Sequence, residues 1–333
     1  MSLRLVAFRV PLRQRFRGVD SRAGVLVHGP AGWAEFSPFD DYGPEYSARW
    51  LAAAVEAATE PPPRARRQTI AVNTTVPAVA PEVAFDLVRA SGCSTAKVKV
   101  AESGQQLADD VARVAAVRDA LGADGHIRVD ANGAWDVASA VLAIARLERA
   151  AGGLEYVEQP CRRVDELADV RRRCTVPIAA DESIRTSDDP ERVVRLGAAD
   201  IIVLKVQPMG GIRAALDVVE RCGLPAVASS AVETSVGLAV GVAFAAALDA
   251  VPFACGLGTA SLLATDVVDV PVAPVDGAVA VRAVAPSPAR LHEVALVGAD
   301  ERHWRDRWQA AAAHASSAVQ AALDDVVWGS EDG

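Results

Sequence analysis

Seven charged side chains interrupt apolar runs in the middle of this chain. Lys97 and Lys99 stand in TAKVKV, Arg128 and Asp130 in HIRVDAN, Glu158 in EYVEQP, Asp181 in IAADES and Lys205 in DIIVLKV. From Lys99 onward the last charge of each run lies 23 to 31 residues after the one before, about one strand–helix unit. Within a pair the two residues are two apart and so share a strand face. An ionised group on the inner face of a closed sheet is costly unless it is paired or bound to a metal. Taken singly, an acid in such a run pairs with an arginine or caps the next helix. Three acids at one level, Asp130, Glu158 and Asp181, repel one another unless a cation lies among them. An all-oxygen donor set suits a hard cation, Mg²⁺ first and Mn²⁺ second. Lys99 and Lys205 flank the acids. A lysine serves as a general base when a neighbouring cation lowers its pKa from about 10.4. Lys97 is either that neighbour or the reactive group itself. The chemistry these parts suit is removal of a proton beside a carboxylate, with the metal holding the carboxylate and stabilising the enediolate.

The elements that must position these residues alternate. Apolar runs at 69–76, 95–100, 126–131, 154–160, 176–183, 200–206, 224–230 and 251–256 are separated by helical patterns near 81–91, 105–121, 136–151, 163–173, 188–196, 211–222 and 235–249. Strict alternation of strand and helix implies a parallel sheet, and eight such strands close most naturally into a barrel whose active site lies at the strands' C-terminal ends. Before the PPP at 61–63, the segments 3–12, 24–29 and 31–38 read as half-buried antiparallel strands and 44–59 as a helix. Beyond 266 the pattern returns to short strands and then a helical stretch at about 300–325. This tail is expected on the N-terminal domain or the barrel base.

The 333 residues carry 34 Lys plus Arg against 43 Asp plus Glu, a formal charge of −9 with no basic block, which argues against nucleic acid or an anionic membrane as partner. A small carboxylate substrate remains compatible with a locally positive site. The five cysteines form no CxxC pair, so a reducing compartment is expected, and neither a secretory leader nor a membrane span is evident; the expected location is cytoplasmic. No nucleotide-binding glycine motif is present. The five histidines lack ligand spacing, and Trp304, Trp308 and Trp328 read as packing anchors. Monomer and homo-oligomer are both compatible with the sequence.

These motifs together, KxK at Lys97–Lys99, VDAN, VEQP, ADES and the lysine Lys205, resemble the muconate-lactonizing-enzyme subgroup of the enolase superfamily over essentially the whole chain. The resemblance implies an α/β fold, a modified TIM barrel of (β/α)7β type, with an α+β capping domain built from the N-terminal segment and the C-terminal tail. The expected division is 1–64 for the N-terminal cap, 65–262 for the barrel and 263–333 for the C-terminal segment. It implies Asp130, Glu158 and Asp181 as metal ligands and Lys99 and Lys205 as catalytic lysines. Within the subgroup the chain is most similar to the o-succinylbenzoate synthase family. On that likeness Lys97, Arg128, Ser229 (in SSAVETSVG) and Gly256 (in CGLGT) bind substrate. The implied reaction is Mg²⁺-dependent dehydration of 2-succinyl-6-hydroxy-2,4-cyclohexadiene-1-carboxylate in menaquinone biosynthesis. An N-acylamino acid racemase or a related 1,1-proton-transfer enzyme is the alternative, since it needs the same residues. GWAEFSP (32–38) resembles the family's capping segment. The stretch 13–20 is expected to close over the barrel mouth, with Arg13, Arg15 and Arg17 either facing a dicarboxylate or solvated.

Overall fold

A computed structural model describes residues 2–16, 18–185, 189–323 and 325–329. The N-terminal runs form strands β1 (Leu3–Phe16), β2 (Val19–Gly29) and β3 (Gly32–Phe36), followed by helix α1 (Pro44–Thr59). The strands alternate, but both faces of β1 are buried rather than one. Leu3, Leu5 and Ala7 pack on α1 side chains such as Trp50 and Leu51, whereas Val6, Phe8 and Val10 pack with Val232, Val236 and Leu263. A strand sandwiched between two layers has no solvent face on which to be polar.

The barrel begins with β4 (Thr69–Ala71) and β5 (Thr74–Val76), two strands where one was expected, divided at Val72 and Asn73. Then α2 (Pro81–Ser91), β6 (Thr95–Lys99), α3 (Leu107–Leu121), β7 (His126–Asp130), α4 (Val137–Ala151), β8 (Tyr156–Glu158) and α5 (Val164–Arg171) alternate. After β9 (Ile178–Ala180) come two single turns, α6 (Glu182–Arg185) and α7 (Arg192–Arg195). Next are β10 (Ile201–Lys205), the short α8 (Val206–Met209), α9 (Ile212–Cys222), β11 (Ala226–Ser229) and α10 (Ser235–Ala247). Local signals set the ends. Asp136 caps α4 by accepting the Ser139 amide at 2.7 Å, Pro81 opens α2, and Gly92, in the left-handed region at φ 66°, ends it.

Strands β5 to β11 make one parallel seven-stranded sheet in sequential order. The expected eighth strand is reduced to single bridges, Val72 to Cys255 and Ser229 to Gly256. The Cys255 amide donates to Ala71 and the Gly256 amide to Ala228, which joins the two edges of the sheet. Pro252 and two nearby glycines leave this segment few residues suited to a full ladder.

The tail adds β12 (Ala278–Ala280), antiparallel to β4, then α11 (Pro288–Val294), α12 (Gly298–Ala313), α13 (Ser317–Ala322) and an unforeseen strand, β13 (Val326–Trp328). β13 runs parallel to β1, so the capping sheet has the order β13-β1-β2-β3. Trp304 and Trp308 are buried in its core. No helix among the described residues is long and apolar enough to cross a membrane.

Candidate active site

Register determines which side chains meet inside the barrel. Lys99 pairs with Asp130 and Asp130 with Glu158, so the ends of β6, β7 and β8 stand at one level. Asp181 follows β9 directly and Lys205 ends β10, opposite Ser229 on β11. Five successive strand ends thus deliver charges to one cavity, lined by Lys97, Lys99, Asp130, Lys205, Ser229 and Gly256 among others. Glu158 and Asp181 lie beneath these, fully buried.

Each acid is held by a lysine. Lys97 Nζ donates to both oxygens of Glu158 at 3.0 Å and lies 3.5 Å from Asp130. Lys99 Nζ donates to Asp130 at 2.5 Å, and Lys205 donates to Asp181. Asp181 also accepts from the Arg185 guanidinium at 2.9 Å, the arginine pairing that a lone acid would be expected to have. Burial opposes ionisation of Asp130 and Asp181, but Lys99 and Lys97 hold the first below the usual carboxylate range, and Lys205 and Arg185 the second. Glu158 goes the other way. Burial, then the charges of Asp130 and Asp181, push it up to about 7 against the pull of Lys97. Burial would lower Lys97, yet Glu158 and Asp130 keep it above the ordinary lysine value, so it stays charged beside Lys99.

Among the described residues no three acid, histidine or cysteine groups are drawn together as a finished metal cage, because the ammonium groups take the carboxylates. The donor set nevertheless fits a hard cation. It consists of three buried carboxylates on neighbouring strand ends, with Glu158 raised by burial and then by the charges of Asp130 and Asp181, a repulsion that a divalent ion would relieve.

One expected contact is corrected, and Arg13 and Arg15 take the solvated alternative. Arg128 does not reach the cavity. It pairs with Tyr156 one level below, and its guanidinium donates to Glu155, to the Tyr156 hydroxyl at 2.9 Å and to the Ala254 carbonyl at 2.7 Å. The two-residue strand period places it on the inner face but does not give its depth. The stretch 13–20 is mostly a continuation of the β1–β2 hairpin. Arg13 and Arg15 are exposed, Arg15 donating to the Gly18 carbonyl at 3.0 Å, and Arg17 lies outside the described residues. The hairpin's residue at the cavity is instead Phe16, its ring centre 5.6 Å from Lys99 Nζ.

Other lining residues were missed: Phe39, Thr75, Asn132, Glu182, Ser230, Val232 and Thr259. Asn132 accepts from Lys99 at 2.6 Å and donates to Glu182 at 3.2 Å. Its Asn-Gly dipeptide directly after a strand was a usable turn signal. Among the described residues five non-glycine residues have positive φ. Four of them, Ala101, Asn132, Gln159 and Val232, lie within three residues of a strand end at this mouth. Strain of this kind collects at functional sites. At Gly256 an added Cβ would sit 2.6 Å from Ser229 Oγ, so any side chain there would displace the Ser229 hydroxyl.

Comparison with known proteins agrees with this fold. Residues 7–58 match the family described as enolase N-terminal domain-like, and residues 80–286 the enolase C-terminal domain-like family. An o-succinylbenzoate synthase of Thermobifida fusca is 61% identical over 92% of this chain and 95% of its own length. One from Mycobacterium tuberculosis is 52% identical over 92% and 93%. Muconate lactonizing enzyme shares the fold with a TM-score of 0.72 at 18% identity, covering 88% of this chain and 99% of its own. A dipeptide epimerase from Enterococcus faecalis, solved with Mg and the dipeptide L-Leu-L-Tyr, has a TM-score of 0.68 at 22% identity over 85% and 97%. The chain belongs to the o-succinylbenzoate synthase family, hydro-lyases of the enolase superfamily.

Proposed function

We propose that this chain dehydrates 2-succinyl-6-hydroxy-2,4-cyclohexadiene-1-carboxylate to o-succinylbenzoate, a step of menaquinone biosynthesis, with Lys99 as the base and Mg²⁺ as cofactor. The observation that carries the reading is the row of strand-end charges in register, Lys99, Asp130 and Glu158, continued by Asp181 and Lys205 around one cavity. Asp130, Glu158 and Asp181 would hold the ion, with Mn²⁺ the second choice. When bound, the cation neutralises the substrate carboxylate and favours the charge that develops there as the adjacent proton is lost.

The chain's own groups do the rest. Lys99 Nζ takes the proton alpha to the ring carboxylate, the C–O bond breaks, and Lys99 returns that proton to the departing hydroxide to make water. Lys97 is kept charged by Glu158 and adds its positive charge to the same cavity. Lys205 donates to Asp181 and offers its charge to the delocalised anion, partly through the ring face. Ser229 and Gly256 present a hydroxyl and a backbone without a side chain where the succinyl group would lie.

The test is the loss of cyclohexadiene absorbance with and without Mg²⁺. No turnover in either condition overturns the reading. Rapid solvent-deuterium exchange at the alpha carbon of N-acyl amino acids, with no dehydration, would assign the site to 1,1-proton transfer instead.

A further inference from the structure

A second polar cluster, away from the lysines and acids, joins the capping domain to the barrel. Glu35 lies on β3 in the segment GWAEF and is buried, with 2% exposure. Its Oε1 accepts from Ser37 Oγ at 2.6 Å. Its Oε2 accepts from the Thr234 amide at 3.0 Å, the Thr234 hydroxyl and the Gly237 amide at 3.3 Å. The capping domain thus supplies a buried carboxyl group that accepts hydrogen bonds at the N-terminus of α10, a helix of the barrel. An added Cβ at Gly237 would sit 2.6 Å from Glu233 Cβ and 3.0 Å from this Glu35 oxygen, so a glycine in the helix's first turn leaves room for both side chains.

Ser37 extends the cluster. Its amide donates to Gln207 Oε1 at 3.1 Å, two residues beyond Lys205. Its carbonyl accepts from Arg22 at 2.6 Å. Arg22, buried on β2, also donates to the Val232 carbonyl at 3.2 Å, and its guanidinium covers the Phe39 ring at 4.0 Å. Val232 is a β-branched residue at φ 61°, a conformation such residues adopt only under constraint. The loop so constrained, 230–234, leads from Ser229 into α10. Three of its residues, Ser230, Ala231 and Val232, line the cavity.

We propose that Arg22, Glu35 and Ser37 are positioning residues, a latch by which the capping domain fixes the loop after β11 and so presents Ser229 and Ser230 to the substrate. Every group facing Glu35 through a hydrogen bond is a donor, so the arrangement is complete only with the cap seated on the barrel. Lys99 stands on β6, outside the latched loop. Loosening the latch therefore weakens substrate binding more than proton transfer.

The proposal rests on the cavity being the substrate site, and wild-type turnover tests that separately. In Glu35→Ala, KM should rise ~10-fold or more while kcat stays within ~3-fold, because the loop rather than the base has been displaced. Glu35→Gln should recover most of the loss, since the amide oxygen can still receive the α10 amides while the Ser37 hydroxyl turns to accept. Hydrogen exchange gives a readout independent of turnover: the amides of Thr234 and Gly237 should exchange ~10-fold faster in Glu35→Ala, with the β6–β8 amides unchanged. If Glu35→Ala does not fold, Thr234→Val, measured against Thr234→Ser, takes its place. A variant with lowered Tm but wild-type KM and kcat overturns the proposal, as does faster exchange spread evenly over the barrel.

Discussion

The barrel interior holds two levels of buried charge that behave oppositely. In the lower level Arg128 meets Glu155, the Tyr156 hydroxyl and the Ala254 carbonyl, near the apolar side chains of Ala179, Ile201, Val203, Val227 and Phe253. Its partners are all protein groups and it lines no cavity. In the upper level Lys97, Lys99 and Lys205 pair with Asp130, Glu158 and Asp181, but the lysines also face the cavity. Both levels obey the rule that buried charges are paired. The difference is access. A pair that lines no cavity contributes to holding the strands together, whereas a pair that opens onto a cavity can exchange its partner for a ligand.

Substitutions can break or sharpen this contrast. The largest effect is expected at Lys99. Lys99→Ala should lower kcat by ~10²–10⁴-fold, and Lys99→Arg by as much, because a guanidinium does not take up a proton near neutral pH. Near wild-type kcat in Lys99→Arg would remove Lys99 as the base. Next come the acids. Glu158→Gln, Asp130→Asn and Asp181→Asn should each lower activity ~10²–10³-fold and raise the Mg²⁺ concentration needed for half-maximal rate. Activity unaffected by a chelator in all three would exclude the cation site. Lys205→Ala should cost ~10²-fold, with part restored in Lys205→Arg, which keeps the charge; equal activity in the two variants would refute an electrostatic role.

At the cavity wall, Gly256→Val should lower kcat/KM ~10–100-fold, since its side chain meets Ser229 and fills the space beside it, with Ser229→Ala milder. The smallest kinetic effect belongs to the lower level. Arg128→Met should leave kcat/KM of the folded enzyme within ~3-fold of wild type while removing about 3 kcal/mol of stability, read from the urea midpoint. A large kinetic defect at unchanged stability would place Arg128 back among the substrate groups.

The upper level was legible because charge is so poorly tolerated inside an apolar strand. Lys97, Lys99, Asp130, Glu158, Asp181 and Lys205 each break such a run, and the strand–helix period brings them to one end. That same logic also selected Arg128, since side-chain alternation gives a face and not a height. Ser229 and Gly256 carry no such contrast and were found through family likeness. Phe16 and Phe39 belong to the capping domain, whose approach to the barrel decides their contact, and Asn132 and Thr259 lie in loops beyond the strand ends. β13 was hidden for a related reason: three residues have no period of their own, and pairing with β1 is what makes them a strand.

That last pairing has a consequence for how the molecule is made. Leu3 is matched to Val326 and Leu5 to Trp328, with the whole barrel encoded between them. During synthesis β1 and β2 leave the ribosome before β13 and stay without that neighbour for roughly 15–60 s at ordinary elongation rates. Val232, Val236 and Leu263, which cover one apolar face of β1, follow partway through that time, whereas α12 and β13 come last. The barrel, contiguous in the chain, can assemble while the cap waits. The nascent chain therefore passes through a long-lived stage with a sticky, unpaired edge, the kind of surface that chaperones shield. A circular permutant joining the present ends and opening in the exposed stretch 61–66 would make the cap's strands consecutive and should shorten that stage.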